Sequence, residues 1–402
     1  MARFFSGTAL ALTLLLTAGC GYGGAAGTSA GTLSYAGKTL TLGAVLSLTG
    51  PGGVYGVNSN NGIDLAVAEI NSHDGIEGAR LAVKVRDDAS DRQQAAKVTQ
   101  DLIDDGVAGL IGPTLSNSAV TVHPLANSLR VPIVATSNTG LHIVPDCMYP
   151  DPQTCPYVYR NSLGEQSLIP ANIRVWEQAH QSRTGVLLVV KDDKFSRDGG
   201  EIVKKAAPAN GIRLLGTIEF SKSDTDLTAP IAEAVQLKPD VIFINSLGSI
   251  PARLMIGARK QGFQGEFLGG NGFNTAVVSR EAGPAGEGAQ SASAWYINNS
   301  DSSNKRFVTA YRSRYGIDPD QFAAQAYSGV YIYAMAARLA HLGFTKLEQD
   351  RSQLRDALEK VDLDTPLGHF RFTADHDVQQ AFWVIQMDGK GGFRLVTAVN
   401  PA

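Results

Sequence analysis

Hydroxyl, amide and glycine residues gather in three short stretches, each following an apolar run. In residues 46–56, LSLTGPGGVYG, Gly and Pro compact the backbone and leave Tyr55 as a large amphipathic side chain near a sheet edge. In residues 111–118, IGPTLSNS, an apolar run ends at a Gly-Pro turn and Ser or Asn begins a helix. The free N–H groups of that helix start, with the Ser116 hydroxyl, suit a carboxylate or phosphate. Residues 135–140, ATSNTG, add further hydroxyls and amides. Three such loops at one sheet edge would converge on a small anion. Taken singly, each Ser or Asn is equally an ordinary helix cap.

Residues able to make or break bonds are not arranged to do so. The histidines at 73, 123, 142, 180, 341, 369 and 376 show no metal-ligand spacing, and no Ser-His-acid set falls on suitable loops. Residues 27–31 match G-x-S-x-G and residues 19–24 match G-x-G-x-x-G, but neither lies between a strand and a helix. No enzyme activity, cofactor or metal is expected.

The elements that must hold these loops alternate. Strands are expected at 39–47, 81–86, 107–111 and 133–136, with helices at 61–71, 92–104 and 118–129. A second series follows, with helices at 168–181, 199–209, 228–237 and 252–261 and strands at 185–190, 212–218, 241–245 and 266–268. A helix at 325–342 and a closing hairpin, WVIQM and FRLV around residues 388–392, complete the body. Short apolar strands alternating with helices predict an α/β fold of two doubly wound parallel sheets. In such sheets ligands sit outside the carboxyl ends of the strands.

The 402 residues suffice for two or three domains of about 150 residues each. With 44% hydrophobic and 18% charged residues and a net charge of −3, the composition is globular, and scattered Lys and Arg give no nucleic-acid footprint. Residues 1–20 carry Arg3, an apolar core at 9–16 and small residues up to Cys20, the pattern of an export signal. Thr17-Ala18-Gly19-Cys20 resembles a bacterial lipobox, which makes Cys20 the expected site of lipidation. The Gly/Ala/Ser stretch at 21–32 reads as a flexible tether. In an exported chain Cys147 and Cys155 read as one local disulfide across a Pro-rich loop, with two free thiols as the alternative.

LGAVLSLTGPGGVYG, the run from Gly62 to Pro113, RVPIVATSNT and FAAQAYSGVYIYAMA resemble, in order and spacing, the type I periplasmic binding proteins typified by the branched-chain amino-acid receptors. The resemblance covers about residues 38–395. It implies two lobes joined by a three-strand hinge, with crossovers near 160–163, 291–296 and 366–369. Lobe 1 would hold 38–160 plus 295–366, and lobe 2 161–294 plus 367–402, after a signal peptide at 1–20 and a tether at 21–37.

Relatives of that kind hold a ligand carboxylate with residues matching Ser116 and Thr139 and with backbone near Leu115 and Ser137. Their aromatic wall matches Tyr55 and, in DDKFSRDGG, Phe195. Of two acids that meet the ligand ammonium, one matches Glu165, whereas Asn271 stands where the second is expected. A neutral amide is a poorer partner for a desolvated ammonium, so amides, urea-like compounds and carboxylates without an amine join amino acids as candidate ligands. Ser249 falls where an aromatic often closes the pocket. Each has a plainer reading: Phe195 as core, Glu165 as a helix-start acid, Asn271 as a turn residue. The resemblance implies a monomeric solute receptor that closes at its hinge on the outer face of the bacterial cytoplasmic membrane. Its partners would be the permease and ATPase of an ABC importer, or a signalling partner in the alternative.

Overall fold

The computed structural model describes residues 35–147 and 155–400. The expected signal segment, Cys20 and residues 21–34 of the tether lie outside them, as does most of the loop between Cys147 and Cys155. Tyr35, at the end of the expected tether, already bonds to the body, its N–H donating to the Glu77 carbonyl at 2.8 Å. Those two cysteines form a disulfide, with Cα atoms 5.8 Å apart.

The first series builds a parallel five-stranded sheet from β1 (Thr39–Leu46), β2 (Arg80–Asp87), β3 (Gly109–Ile111), β4 (Ile133–Ala135) and β5 (Val158–Arg160), in the order β2-β1-β3-β4-β5. Its strands are connected by α1 (Gly53–Ser72), α2 (Arg92–Asp104) and α3 (Ser116–Ser128). α2 has the expected bounds because Asp91 caps it, the carboxylate accepting from Gln94 N at 2.8 Å.

The second series comprises α4 (Glu165–His180), β6 (Thr184–Val190), α5 (Lys194–Ala209), β7 (Arg213–Phe220), α6 (Thr228–Gln236), β8 (Val241–Ile244), α7 (Ile250–Lys260), β9 (Glu266–Gly269), α8 (Ala276–Ala282) and β10 (Gln290–Ser293). The chain returns to the first sheet with α9 (Ser302–Tyr315), α10 (Gln321–Ala340) and α11 (Leu347–Leu358). A small hairpin of β11 (Asp362–Thr365) and β12 (Gly368–Arg371) follows, then β13 (Phe382–Met387) and β14 (Phe393–Val399). The second sheet has the order β14-β13-β10-β9-β8-β6-β7. Its closing hairpin is antiparallel, so this sheet is mixed at one edge. The fold is therefore α/β with two lobes, each built on its own sheet.

α8, α9, α11 and the β11–β12 hairpin were not expected from the sequence, and α1, α5 and α10 begin at least four residues earlier than expected. α1 starts at Gly53, so Tyr55 stands in its first turn, not in a loop. α5 starts at Lys194 behind an Asp193 cap, and α10 at Gln321 behind an Asp320 cap.

α10 is buried along most of its length and packs against α1. Gly62 permits that approach, since a Cβ there would meet the backbone carbonyl of Ala323. Alanine in mid-helix ordinarily gains about 1 kcal/mol over glycine. Here the clash is with main chain and cannot be relieved by a rotamer. Gly62→Ala is therefore expected to destabilise the protein by about 1–3 kcal/mol, measured by urea unfolding.

Candidate functional site

The three loops meet as their composition suggested. All follow the carboxyl ends of β1, β3 and β4, and side chains lace them together. Ser47 N donates to Thr114 Oγ1 at 2.9 Å, Ser137 Oγ to the Thr114 carbonyl at 2.7 Å and Asn138 Nδ2 to the Pro113 carbonyl at 2.9 Å. Buried Asp88 accepts from Ser47 Oγ at 2.6 Å and from Ser118 Oγ at 2.9 Å, fixing the first loop to α3.

The Ser and Asn residues at the start of α3 are not its side-chain caps. The cap position is Leu115, which has no capping hydroxyl, and Ser116 is the first helical residue. Among the described residues, Ser116 Oγ accepts only a long bond from Gly140 N, at 3.4 Å, and Thr139 Oγ1 is buried with no partner. Two hydroxyls and the N–H groups of a helix start are thus left for an anion.

A small cavity of ≈ 10 Å³, room for about one water molecule, lies here. Tyr55, Leu115, Ser116, Ser137, Phe195 and Asn271 are on its wall. Thr114, Leu247 and Phe322 also line it and were not singled out. Tyr55 and Phe322 pack with ring centroids 4.6 Å apart. The signal for Phe322 was the capping Asp320 two residues earlier; that for Leu247 was its place after β8. Ser249 is not on this wall. It is exposed at the start of α7, and Leu247 supplies the apolar surface instead. Thr139 and Glu165 stand behind the wall: Glu165 N donates to the Thr139 carbonyl at 2.8 Å.

The two sheets close on this cavity through direct bonds. Tyr55 Oη donates to the Gly272 carbonyl and accepts from Gly248 N, each at 3.0 Å. Asn117 pairs with Asp193 and accepts from Lys194 N at 2.7 Å, while Leu141 N donates to Asp198 at 2.9 Å. Asp193, Lys194 and Asp198 belong to the start of α5, so that helix end meets both ligand loops of the first sheet.

Glu165 is fully buried as the first residue of α4. Its Oε1 accepts from Asn271 N at 2.7 Å, and Oε2 has no partner. Burial pushes the carboxyl up to about 7, against the lowering effect of the Asn271 bond. A carboxyl with a raised folded-state pKa holds its proton more tightly when folded. Its contribution is therefore favourable at low pH and is lost as pH rises from the ordinary 4.5 toward 7. Burial also raises Asp320, to about 6, and lowers His123 to about 4, so the signature is read as a difference. Glu165→Gln is expected to remove a decline of about 2–3 kcal/mol across that window, seen by comparing urea unfolding of both proteins from pH 4 to 8.

The family model described as periplasmic binding protein matches residues 39–392. Among solved structures, the branched-chain amino-acid transporter substrate-binding protein LivJ of Streptococcus pneumoniae, in complex with isoleucine, is similar at 22% identity with a TM-score of 0.79, covering 91% of this chain and 99% of its own. The leucine-binding protein LivK of Thermotoga maritima shares 20% identity with a TM-score of 0.80, covering 90% of this chain and 99% of its own. An ABC-transporter solute-binding protein from R. palustris, in complex with benzoate, gives 20% identity and a TM-score of 0.80 over 90% of this chain and 97% of its own.

Proposed function

Because this chain belongs to the periplasmic binding protein family, we propose that it is the extracytoplasmic receptor of an ABC importer for a small carboxylate with an apolar or aromatic body. The observation that carries this is the pairing of a nearly free Ser116 hydroxyl and an unpartnered, buried Thr139 hydroxyl beside the start of α3. Ser116 lines a cavity whose walls also include Tyr55, Phe195 and Phe322, and Thr139 stands behind it. Isoleucine and benzoate, bound by two of its structural relatives, have this chemistry in common.

The carboxylate docks on the first lobe, and the contacts of Tyr55 and Asn117 with the second lobe form as the cleft shuts. Ligand shifts the open and closed populations by its differential affinity. The closed shape is what a permease with its ATPase would recognise. The lobes are 38–160 plus 295–371 and 161–294 plus 379–402, with residues 372–378 as the third hinge segment beside β5 in place of the crossover expected near 366–369, which would split the β11–β12 hairpin. Cys20 is the lipid anchor, with residues 21–37 as tether.

A thermal-shift screen followed by calorimetry tests the reading, using branched-chain and aromatic amino acids, their amides, ureas and substituted benzoates. Carboxylates are expected to raise Tm, and the matching amides and ureas to leave it unmoved. Equal stabilisation by uncharged amides would contradict the carboxylate assignment.

A further inference from the structure

Behind the cavity wall, buried amides meet in an order that the backbone dictates. Gln321, the first residue of α10, accepts through Oε1 from Ala294 N at 2.8 Å. A backbone N–H can only donate, so the Gln321 oxygen must face it and the amide NH2 must face away. Nε2 then donates to Asn271 Oδ1 at 2.5 Å. Asn274 imposes the same polarity independently. Its Nδ2 donates to the Ala292 carbonyl at 2.9 Å and reaches Asn271 Oδ1 at 3.3 Å, while its Oδ1 accepts from Ser291 Oγ at 2.7 Å. A main-chain N–H and a main-chain carbonyl on either side of Ser293 thus turn the Asn271 oxygen inward. Asn271 is on the cavity wall, and its Nδ2 makes no hydrogen bond among the described residues.

We propose that Gln321 is a positioning residue that sets the polarity of the Asn271 amide, so that the second wall of the cavity selects a ligand group that accepts hydrogen bonds over an ammonium. The inference rests on the carboxylate-receptor reading and deepens it: the ligand carries its carboxylate toward Ser116 and a hydroxyl, carbonyl or second carboxylate toward Asn271. An ammonium placed there would face two N–H donors and lose its solvation without an acceptor in return. Glu165 does not offset this from the wall, since it stands behind Asn271 with Oε1 already bound to that residue's N–H.

Gln321→Glu keeps the shape and reverses the relay. One carboxylate oxygen can still accept from Ala294 N, but the other can only accept. It repels the Asn271 oxygen against the longer 3.3 Å contact from Asn274 Nδ2 and favours Asn271 turning its NH2 inward and its oxygen to the cavity. Asn271→Asp reaches the same end directly, accepting from Gln321 with one oxygen and offering the other to the ligand. It serves where the buried charge of Gln321→Glu hinders folding.

The test is calorimetry on the wild-type chain and both variants with two matched pairs of probes. One pair is 2-hydroxy-3-methylpentanoate against isoleucine; the other is 4-hydroxybenzoate against 4-(aminomethyl)benzoate. The wild type is expected to bind the hydroxyl member of the pair that fits at least about tenfold more tightly than its amine. Both variants are expected to bring that ratio to one or below. A loss of support for side-chain packing alone would weaken both members alike and leave the ratio in place, which would overturn the inference. So would a wild-type preference for the amine. If neither pair binds the wild type, the carboxylate-receptor reading fails and takes the relay with it, an outcome distinct from an unmoved ratio.

Discussion

Replacing Ser116 and Thr139 together by alanine is expected to lower the affinity for the best carboxylate found among isoleucine, benzoate and their analogues by about a hundredfold or more, with little change in unfolding free energy. The asymmetry follows from where the hydroxyls are bonded. Ser116 Oγ has a single long contact, 3.4 Å from Gly140 N, and Thr139 Oγ1 has no partner although Thr139 is buried. Neither group holds the protein together, so their loss leaves few broken bonds in the ligand-free state. A hydrogen bond to a charged group is worth about 1.5–3 kcal/mol, and 1.4 kcal/mol is a factor of ten in affinity. Two such bonds therefore account for a hundredfold and more, in a site where the start of α3 already favours the anion. Calorimetry of both single variants and the double variant gives the coupling between them. If the double variant keeps wild-type affinity, the carboxylate lies elsewhere.

Much of the scaffold that places these hydroxyls was legible in the sequence, and the failures have physical causes. α2 was read to its bounds because a capping Asp91 and an amphipathic run agree. α1 was read too late because Pro51 and the Gly residues that follow look like a loop. In the fold, Gly56 lies against the Ser47 carbonyl, where any side chain would collide, so a glycine-rich helix start is what brings Tyr55 to the cavity. α9 and α11 are strongly polar, with apolar faces that become visible only once a partner is present.

The site shows the same division. Ser116, Ser137 and Tyr55 announce themselves because hydroxyls and glycines gather in short loops after strands. Leu247 and Ser249 are two residues apart, yet one lines the cavity and the other is exposed, a distinction set by the turn before α7 and not by residue type. Gln321 could not be recognised from its neighbours. Its role depends on the Ala294 N–H, 27 residues away, and on Asn271, 50 residues away. The direction in which a buried amide points is decided by tertiary contacts alone.

The largest stability effect is expected at Arg160. This residue ends β5, is 1% exposed at its side chain, and pairs with Asp377, which is 24% exposed. Nε donates to Asp377 Oδ1 at 2.8 Å, and the second bond of the fork goes from Nη2 to Oδ2. Nη1 reaches the Gly140 carbonyl at 3.3 Å, and the Arg160 backbone N–H donates to the His376 carbonyl at 2.9 Å. His376 in turn stacks on Tyr159, with ring centroids 4.1 Å apart. One guanidinium therefore joins the first sheet, the segment returning to the second sheet, and the loop that carries Thr139.

Breaking a buried ion pair from one side costs about 3–5 kcal/mol, because the remaining charge loses its partner without regaining full hydration. Arg160→Met is expected to fall in that range by urea unfolding. Asp377→Asn is expected to cost at least as much despite its smaller change in volume, since it leaves the more deeply buried charge unpaired. The double variant Arg160→Met/Asp377→Leu should recover much of the loss, as apolar pairs of similar size often replace buried ion pairs without penalty. Ligand affinity should not recover with it. The Gly140 carbonyl stays released in the double variant, and Gly140 follows Thr139 in the anion loop. Stability restored with affinity still depressed would separate the two jobs of Arg160, bracing the hinge and aiming the anion loop. Full recovery of both would confine Arg160 to the hinge.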